Sequence, residues 1–103
     1  MSTKFTLQPK PTFKAVVSIP RAGEEDGQLT FTFKHMPLGE LAALEKLDDK
    51  TAADFVCEIV AGWALPEDCT PENIEVLLQN YPGAMQAITR TYYSELLGHR
   101  EKN

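Results

Sequence analysis

Residues 70–97, TPENIEVLLQNYPGAMQAITRTYYSELL, contain two helical patterns that meet at the tripeptide Tyr81-Pro82-Gly83. Apolar residues recur at intervals of three and four on both sides of the tripeptide, as in an amphipathic helix. Pro82 lacks a backbone donor, so we expect a break or sharp kink there, with Pro82 opening the last helix. The inward stripe shared by the two helices is predicted to consist of Ile74, Leu77, Leu78, Tyr81, Met85, Ile88, Tyr92 and Leu96.

Both ends of this segment carry the signals that start and stop helices. Thr70 can cap the first helix with its hydroxyl, and Pro71 suits the first helical position. Glu72 places a negative charge near the positive end of the helix dipole. Gly98 is a typical C-terminal stop. These signals agree with the periodicity and predict a rigid helical framework.

Two further helices are predicted upstream of this framework. The first begins at Pro37 and continues to about Leu47, with a leucine at every third position. The second, TAADFVCEIVAGW, covers residues 51–63, with Thr51 as its N-cap and Asp54 in its first turn. Its broad apolar face is predicted to consist of Phe55, Val56, Ile59, Val60 and Trp63.

The N-terminal third of the chain has the period of two that is typical of strands. Residues 12–19, TFKAVVSI, and residues 28–34, QLTFTFK, should pair as an antiparallel hairpin. Residues 20–27 between them are predicted to form a long polar loop. Residues 1–11 contain Pro9 and Pro11, which favour an extended arm. The inward face of the hairpin should carry Phe13, Ala15, Val17, Ile19, Leu29, Phe31 and Phe33.

These elements predict an α+β fold in which an N-terminal antiparallel β-hairpin packs on a bundle of about four α-helices. We expect a single domain over residues 1–103, because the chain is long enough for one core and too short for two. It divides into the arm 1–11, the hairpin 12–34, the helical region 37–97 and a frayed tail 98–103. The residues assigned to the core or the kink are Phe31, Phe33, Phe55, Ile59, Trp63, Leu77, Leu78, Tyr81 and Pro82.

Charge and hydropathy exclude several classes of partner. The net charge is −5, and residues 37–103 contain twelve acidic against five basic side chains. Such a helical body repels phosphates, so nucleic-acid binding is not expected. No apolar run approaches the roughly 20 residues of a membrane helix, and the N-terminus lacks the features of a secretory signal. These observations predict a cytoplasmic protein that does not interact with membranes.

No catalytic or metal-binding set is evident. Cys57 and Cys69 have neither a CxxC spacing nor a histidine partner, and both are expected to be reduced thiols. His35 is an isolated histidine at a strand end, with no nucleophile or acid indicated beside it. The three adjacent acids of the 20–27 loop lack the spacing of a calcium loop. We therefore predict no enzymatic activity, no cofactor and no metal.

The order and spacing of several motifs resemble tail assembly chaperones of long-tailed bacteriophages and their prophages. These motifs are TFKAVVSIP, LTFTFKHM, the Gly62-Trp63 pair, residues 73–78, the Tyr81-Pro82-Gly83 junction and the closing LLGHREKN. The similarity covers nearly the whole chain. It implies a non-enzymatic protein that binds the tape-measure protein, keeps its apolar helices soluble and helps recruit tail-tube subunits. It also implies action in the infected cell and absence from the finished virion; many relatives have a frameshifted longer form.

The resemblance transfers no binding residue, so candidate contacts come from apolar residues that the core leaves over. These are Tyr92, Tyr93, Leu96 and Leu97, together with the outward edge of the hairpin. The open strand edges and the wide apolar face of the last helix also predict self-association. The alternative function is a small acidic phage protein that binds and inhibits a host protein.

Overall fold

The computed structural model of the chain describes residues 5–46 and 49–98. The predicted α+β fold is confirmed: an antiparallel sheet of three strands and four helices occur within these residues. Residues 1–4 of the predicted arm, Leu47 and Asp48 after the first helix, and residues 99–103 of the predicted tail lie outside the described residues. The elements are β1 (Thr12–Arg21), β2 (Glu24–Lys34), α1 (Leu38–Glu45), α2 (Ala52–Ile59), β3 (Val60–Trp63), α3 (Pro71–Asn80) and α4 (Ala84–Leu97).

The hairpin is antiparallel as predicted, with Phe13 opposite Phe33 and a register shift between Ile19 and Arg21. The long loop predicted over residues 20–27 is wrong, because both strands continue to a two-residue turn at Ala22-Gly23. Gly23, the second residue of the turn, has φ +76°, which glycine adopts without steric cost. Acidic side chains therefore line the last strand pairs rather than a loose loop.

The third strand is a correction to the sequence prediction, which extended the second helix to Trp63. The helix ends at Ile59, and Val60–Trp63 pairs antiparallel with the outer side of β2. Without this pairing, β2 would leave a row of backbone groups unpaired at its edge. Val60 is β-branched and Gly62 is a poor helix former, so little helical propensity opposes the extended conformation. The sheet order is β1-β2-β3, with β2 central.

The helix boundaries follow the predicted capping signals. Thr51 and Asp54 form a reciprocal capping box, with N···O distances of 3.1 and 3.2 Å. The Thr70 hydroxyl accepts a hydrogen bond from the Asn73 backbone N–H at 3.2 Å. Gly98 ends α4 with φ +77°, as predicted. Pro37 itself is the N-cap of α1 rather than its first residue, a shift of one position.

The chain breaks at the predicted tripeptide, but Pro82 does not open α4. Pro82 lies in a turn between Tyr81, the C-cap that follows α3, and Ala84, the first residue of α4. The turn packs close to the hairpin: a Cβ on Gly83 would lie 3.0 Å from Pro20 Cγ. Glycine therefore allows the α3–α4 turn to approach β1.

The helices cover one face of the sheet, and the buried residues form one cluster between the two layers. Phe33 lies in this cluster beside Phe31, Phe13 and Tyr92. The Tyr92 hydroxyl donates to the Lys34 carbonyl at 2.9 Å, which joins α4 to the end of β2. The fully or nearly fully buried residues are Val17, Ile19, Phe31, Phe33, Leu41, Leu44, Ala53, Val56, Ile59, Val60, Ile74, Ala84, Ile88 and Tyr92.

A second tyrosine connects α4 to α1, and its ionisation should make the stability of the fold decrease at alkaline pH. The Tyr93 hydroxyl donates to the Glu45 carboxylate. Burial, followed by this hydrogen bond and the charge of Glu45, raises the pKa of Tyr93 well above its ordinary value. In the unfolded chain the pKa of Tyr93 is about 10, and below that pH the stabilisation by the Tyr93 hydroxyl is complete. It is lost as the pH rises from there through the higher pKa that Tyr93 has in the folded chain.

Tyr93→Phe should therefore weaken the pH dependence of stability above about pH 10. Urea unfolding at a series of pH values from neutral to strongly alkaline gives the slope for each variant. The lost hydrogen bond lowers the free energy of unfolding of Tyr93→Phe at every pH. The quantity to compare is therefore the slope of that free energy against pH, and not its absolute value. Tyr81→Phe serves as the control because Tyr81 is 36% exposed. Parallel curves for wild type and Tyr93→Phe would contradict the linkage.

Candidate partner-binding groove

A groove of about 370 Å³ lies between the hairpin-turn end of the sheet, the β3–α3 loop and α3. Here it is called the α3 groove. Strand alternation directs Ile19 and Leu29 toward the helical layer, where they form part of its apolar surface. Trp63, at the end of β3, and Leu77, on α3, complete this surface. The α3 groove therefore forms where three distant segments of sequence meet.

Hydrogen bonds hold the β3–α3 loop in place along one side of the α3 groove. Trp63 Nε1 donates to the Glu67 carbonyl at 2.7 Å. Asn73 Nδ2 donates to the Asp68 carbonyl at 2.7 Å. Because each bond ties the loop to a regular element, the wall of the α3 groove is fixed by β3 on one side and α3 on the other.

Large apolar side chains at the α3 groove remain exposed to solvent. Val76 is 53% exposed, Leu65 38% and Tyr81 36%. All three line the same concavity as the partly buried Trp63 and Leu77. Concave apolar surfaces with exposed edges are typical of sites that bind apolar ligands or protein segments. The α3 groove is therefore the strongest candidate for a binding site within the described residues.

The surroundings of the α3 groove are acidic. Of its charged lining residues, Arg21 forms an ion pair with Glu24 at 3.3 Å, whereas Glu67 is exposed on the loop. The two flanking segments, residues 22–27 and 64–70, contain five acidic side chains and no basic one. Their combined potential favours a partner that carries basic residues beside its apolar ones.

The four predicted partner-binding residues lie away from the α3 groove, and their partner role stays a prediction. Tyr92 is fully buried and stacks on Phe13 at 5.9 Å, which makes it part of the core. Tyr93 and Leu96 are partly buried. Leu97 is 52% exposed and remains accessible.

The residues assigned to the core or the kink occupy three kinds of position. Phe31, Phe33 and Ile59 are fully buried. Four are partly buried, namely Phe55, Trp63, Leu77 and Leu78. Tyr81 and Pro82 are exposed. Trp63, Leu77 and Tyr81 also line the α3 groove, a role that the sequence analysis missed. The sequence feature that points to the α3 groove is Val76, because it is an apolar residue outside the inward stripe of its helix.

Three findings concern metal sites, thiols and membrane spans within the described residues. Over residues 5–46 and 49–98, no group of three or more histidine, cysteine or acidic side chains could hold a metal ion. Burial raises the pKa of the Cys57 and Cys69 thiols, which disfavours the reactive thiolate form. No helix in this part of the chain is long and apolar enough to cross a bilayer.

Comparison with known proteins gives one result that bears on function. A family model described as phage tail assembly chaperone matches residues 1–103, the full length of the sequence. Searches of curated proteins and of solved structures gave no match. The matched region includes the hairpin, the four helices and the α3 groove.

Proposed function

Because the chain belongs to the phage tail assembly chaperone family, we propose that it binds the tape-measure protein, keeps it soluble and promotes assembly of the tail tube. It acts by binding rather than by catalysis, in the cytoplasm of the infected bacterium, and leaves before the virion is complete. Tail-tube subunits are a second class of partner. The observation that carries this proposal is the α3 groove, an apolar concavity with exposed edges on a chaperone-family fold.

The α3 groove suits the type of client that a long helical protein presents before assembly. An amphipathic helix can place its apolar face against Trp63 and Leu77 while Val76 and Leu65 cover its sides. Basic residues on the client would meet the acidic segments on either side of the groove. The apolar stripe of the client would then be hidden from other client molecules, which prevents aggregation.

The test is co-expression with an apolar helical fragment of the tape-measure protein from the same phage. Wild type should keep the fragment in solution and co-purify with it. Val76→Glu places a charge in the groove and should weaken the complex about tenfold or more. The matched control is Val16→Glu, because Val16 is 55% exposed on the opposite sheet face and Val76 is 53% exposed. Isothermal titration calorimetry with the purified fragment gives the two affinities.

Two results would count against this proposal. If the fragment remains insoluble with wild type and does not co-purify, the chaperone function assigned to the chain is wrong. If Val76→Glu and Val16→Glu bind the fragment equally well, the α3 groove is not the client site. Capture of a host enzyme with no effect on tail assembly would instead support the acidic inhibitor.

A further inference from the structure

Two large apolar side chains of the N-terminal arm project into solvent. Phe5 and Leu7 are each 90% exposed, more than any other large apolar side chain among the described residues. They lie two positions apart in a segment without helix or strand, where the Thr6 hydroxyl donates to the Gln8 carbonyl at 2.8 Å. Their joint exposure in one short segment leaves apolar surface that contact with another surface would bury.

The arm does not occupy the α3 groove of its own chain. Phe5 and Leu7 are each 90% exposed, and neither lines the α3 groove. The His35 N–H donates to the Pro11 carbonyl at 2.8 Å, which fixes the start of the arm at the open end of the hairpin.

The charges of the arm and of the α3 groove are complementary. Residues 1–11 contain Lys4 and Lys10 and no acidic side chain. The segments that flank the α3 groove, residues 22–27 and 64–70, contain five acidic side chains and no basic one. Docking of the arm would therefore bring lysines toward carboxylates while Phe5 and Leu7 meet an apolar surface.

We propose that the N-terminal arm of one copy docks in the α3 groove of a second copy, with Phe5 and Leu7 against the apolar surface around Trp63. Reciprocal exchange of the two arms gives a closed dimer in which both grooves are filled. A client that enters the α3 groove must then displace the arm. That competition rests on the proposed function of the groove, whereas the exchange between two copies does not.

The chain alone, without any client, tests the exchange. Sedimentation velocity over a wide concentration range should show a monomer–dimer equilibrium. The double variant Phe5→Ser/Leu7→Ser should raise the dimer dissociation constant about tenfold or more, because it removes the two apolar side chains that dock in the groove. The control is Val16→Ser/Leu38→Ser, whose two positions are 55% and 76% exposed outside the arm and the groove. It should leave the dissociation constant unchanged.

A photo-crosslinker identifies the docking surface directly. With p-benzoylphenylalanine in place of Phe5 in a mixture of light and isotopically heavy chains, crosslinks should join unlike chains and map to the lining of the α3 groove. A monomer at every concentration, a dimer that the arm variant does not weaken, or crosslinks confined to one chain would overturn the exchange. Failure to bind a tape-measure fragment would overturn the client site and leave these results unaffected.

Discussion

Phe33→Ala should lower the free energy of unfolding by about 3–5 kcal/mol, the range observed when a buried aromatic side chain is truncated in a packed core. Domains of this size have a total stability of about 5–15 kcal/mol, so the variant would lose a large part of it. The measurement is urea denaturation followed by far-ultraviolet circular dichroism and by the fluorescence of Trp63, the chain's only tryptophan.

The size of this effect follows from the position of Phe33. Its side chain is fully buried on the central strand, so no solvent can fill the space that truncation leaves. Its ring lies 5.6 Å from Phe13, 5.6 Å from Phe31 and 5.2 Å from Tyr92. These three residues belong to β1, β2 and α4, so truncation removes contacts between both layers of the fold.

Phe33→Leu is the matched control, because it keeps an apolar side chain and most of the volume. It should cost about 1 kcal/mol, since hydrophobic replacements of similar size are tolerated far better than truncation. A loss below about 1 kcal/mol for Phe33→Ala would show that the core collapses around the missing ring. The sheet and α4 would then not be packed as tightly as these ring contacts indicate.

The hairpin could be predicted from the sequence because its signal is local. Alternation in residues 12–19 and 28–34 assigns every side chain to a face, and the two apolar faces must lie on the same side of the sheet. The structure has the predicted antiparallel pairing, with Phe13 opposite Phe33. The extra strand length near the turn was missed because Pro20 and the adjacent acids resemble a loop. Pro20 is tolerated there because β1 is an edge strand.

The third strand could not be predicted from local pattern. Residues 51–63 satisfy a helical period, and a short apolar run such as Ile59-Val60 is compatible with either a helix or a strand. The choice depends on β2, whose outer edge pairs Phe31 with Trp63. That pairing joins residues far apart in sequence, so periodicity within one segment does not contain it.

The candidate site was hard to predict for a related reason. Its lining comes from the hairpin, the β3–α3 loop and α3, and the concavity appears only when the three are packed together. Tyr92 shows the converse problem. It was predicted both in the inward stripe of the last helix and as a candidate contact; its ring stacks on Phe13 and its hydroxyl reaches the Lys34 carbonyl, 58 positions away in sequence, as the inward stripe requires.

Trp63 connects the fold to the α3 groove, so its replacement should affect both. Trp63→Ala should destabilise the chain by about 2–3 kcal/mol, somewhat less than a fully buried aromatic because the side chain is partly exposed. The loss has two sources. The ring packs edge-on against Phe31 at a centroid distance of 6.2 Å, and Nε1 donates to the Glu67 carbonyl.

The same variant should weaken binding of a client or of the proposed arm about tenfold or more, because it removes apolar surface from the α3 groove and frees the β3–α3 loop. Trp63→Phe separates the two effects. It keeps an aromatic ring against Phe31 but lacks the donor to Glu67, so its stability should fall by only about 1 kcal/mol.

The two variants together show whether the groove depends on Trp63 or only on an intact fold. Binding is measured at a temperature where both variants are fully folded by circular dichroism, with Val16→Ala as the surface control. If Trp63→Ala binds the tape-measure fragment as wild type does, the ring contributes to packing and not to the site. If Trp63→Phe retains affinity and Trp63→Ala loses it, the aromatic surface at the end of β3 is what the partner contacts.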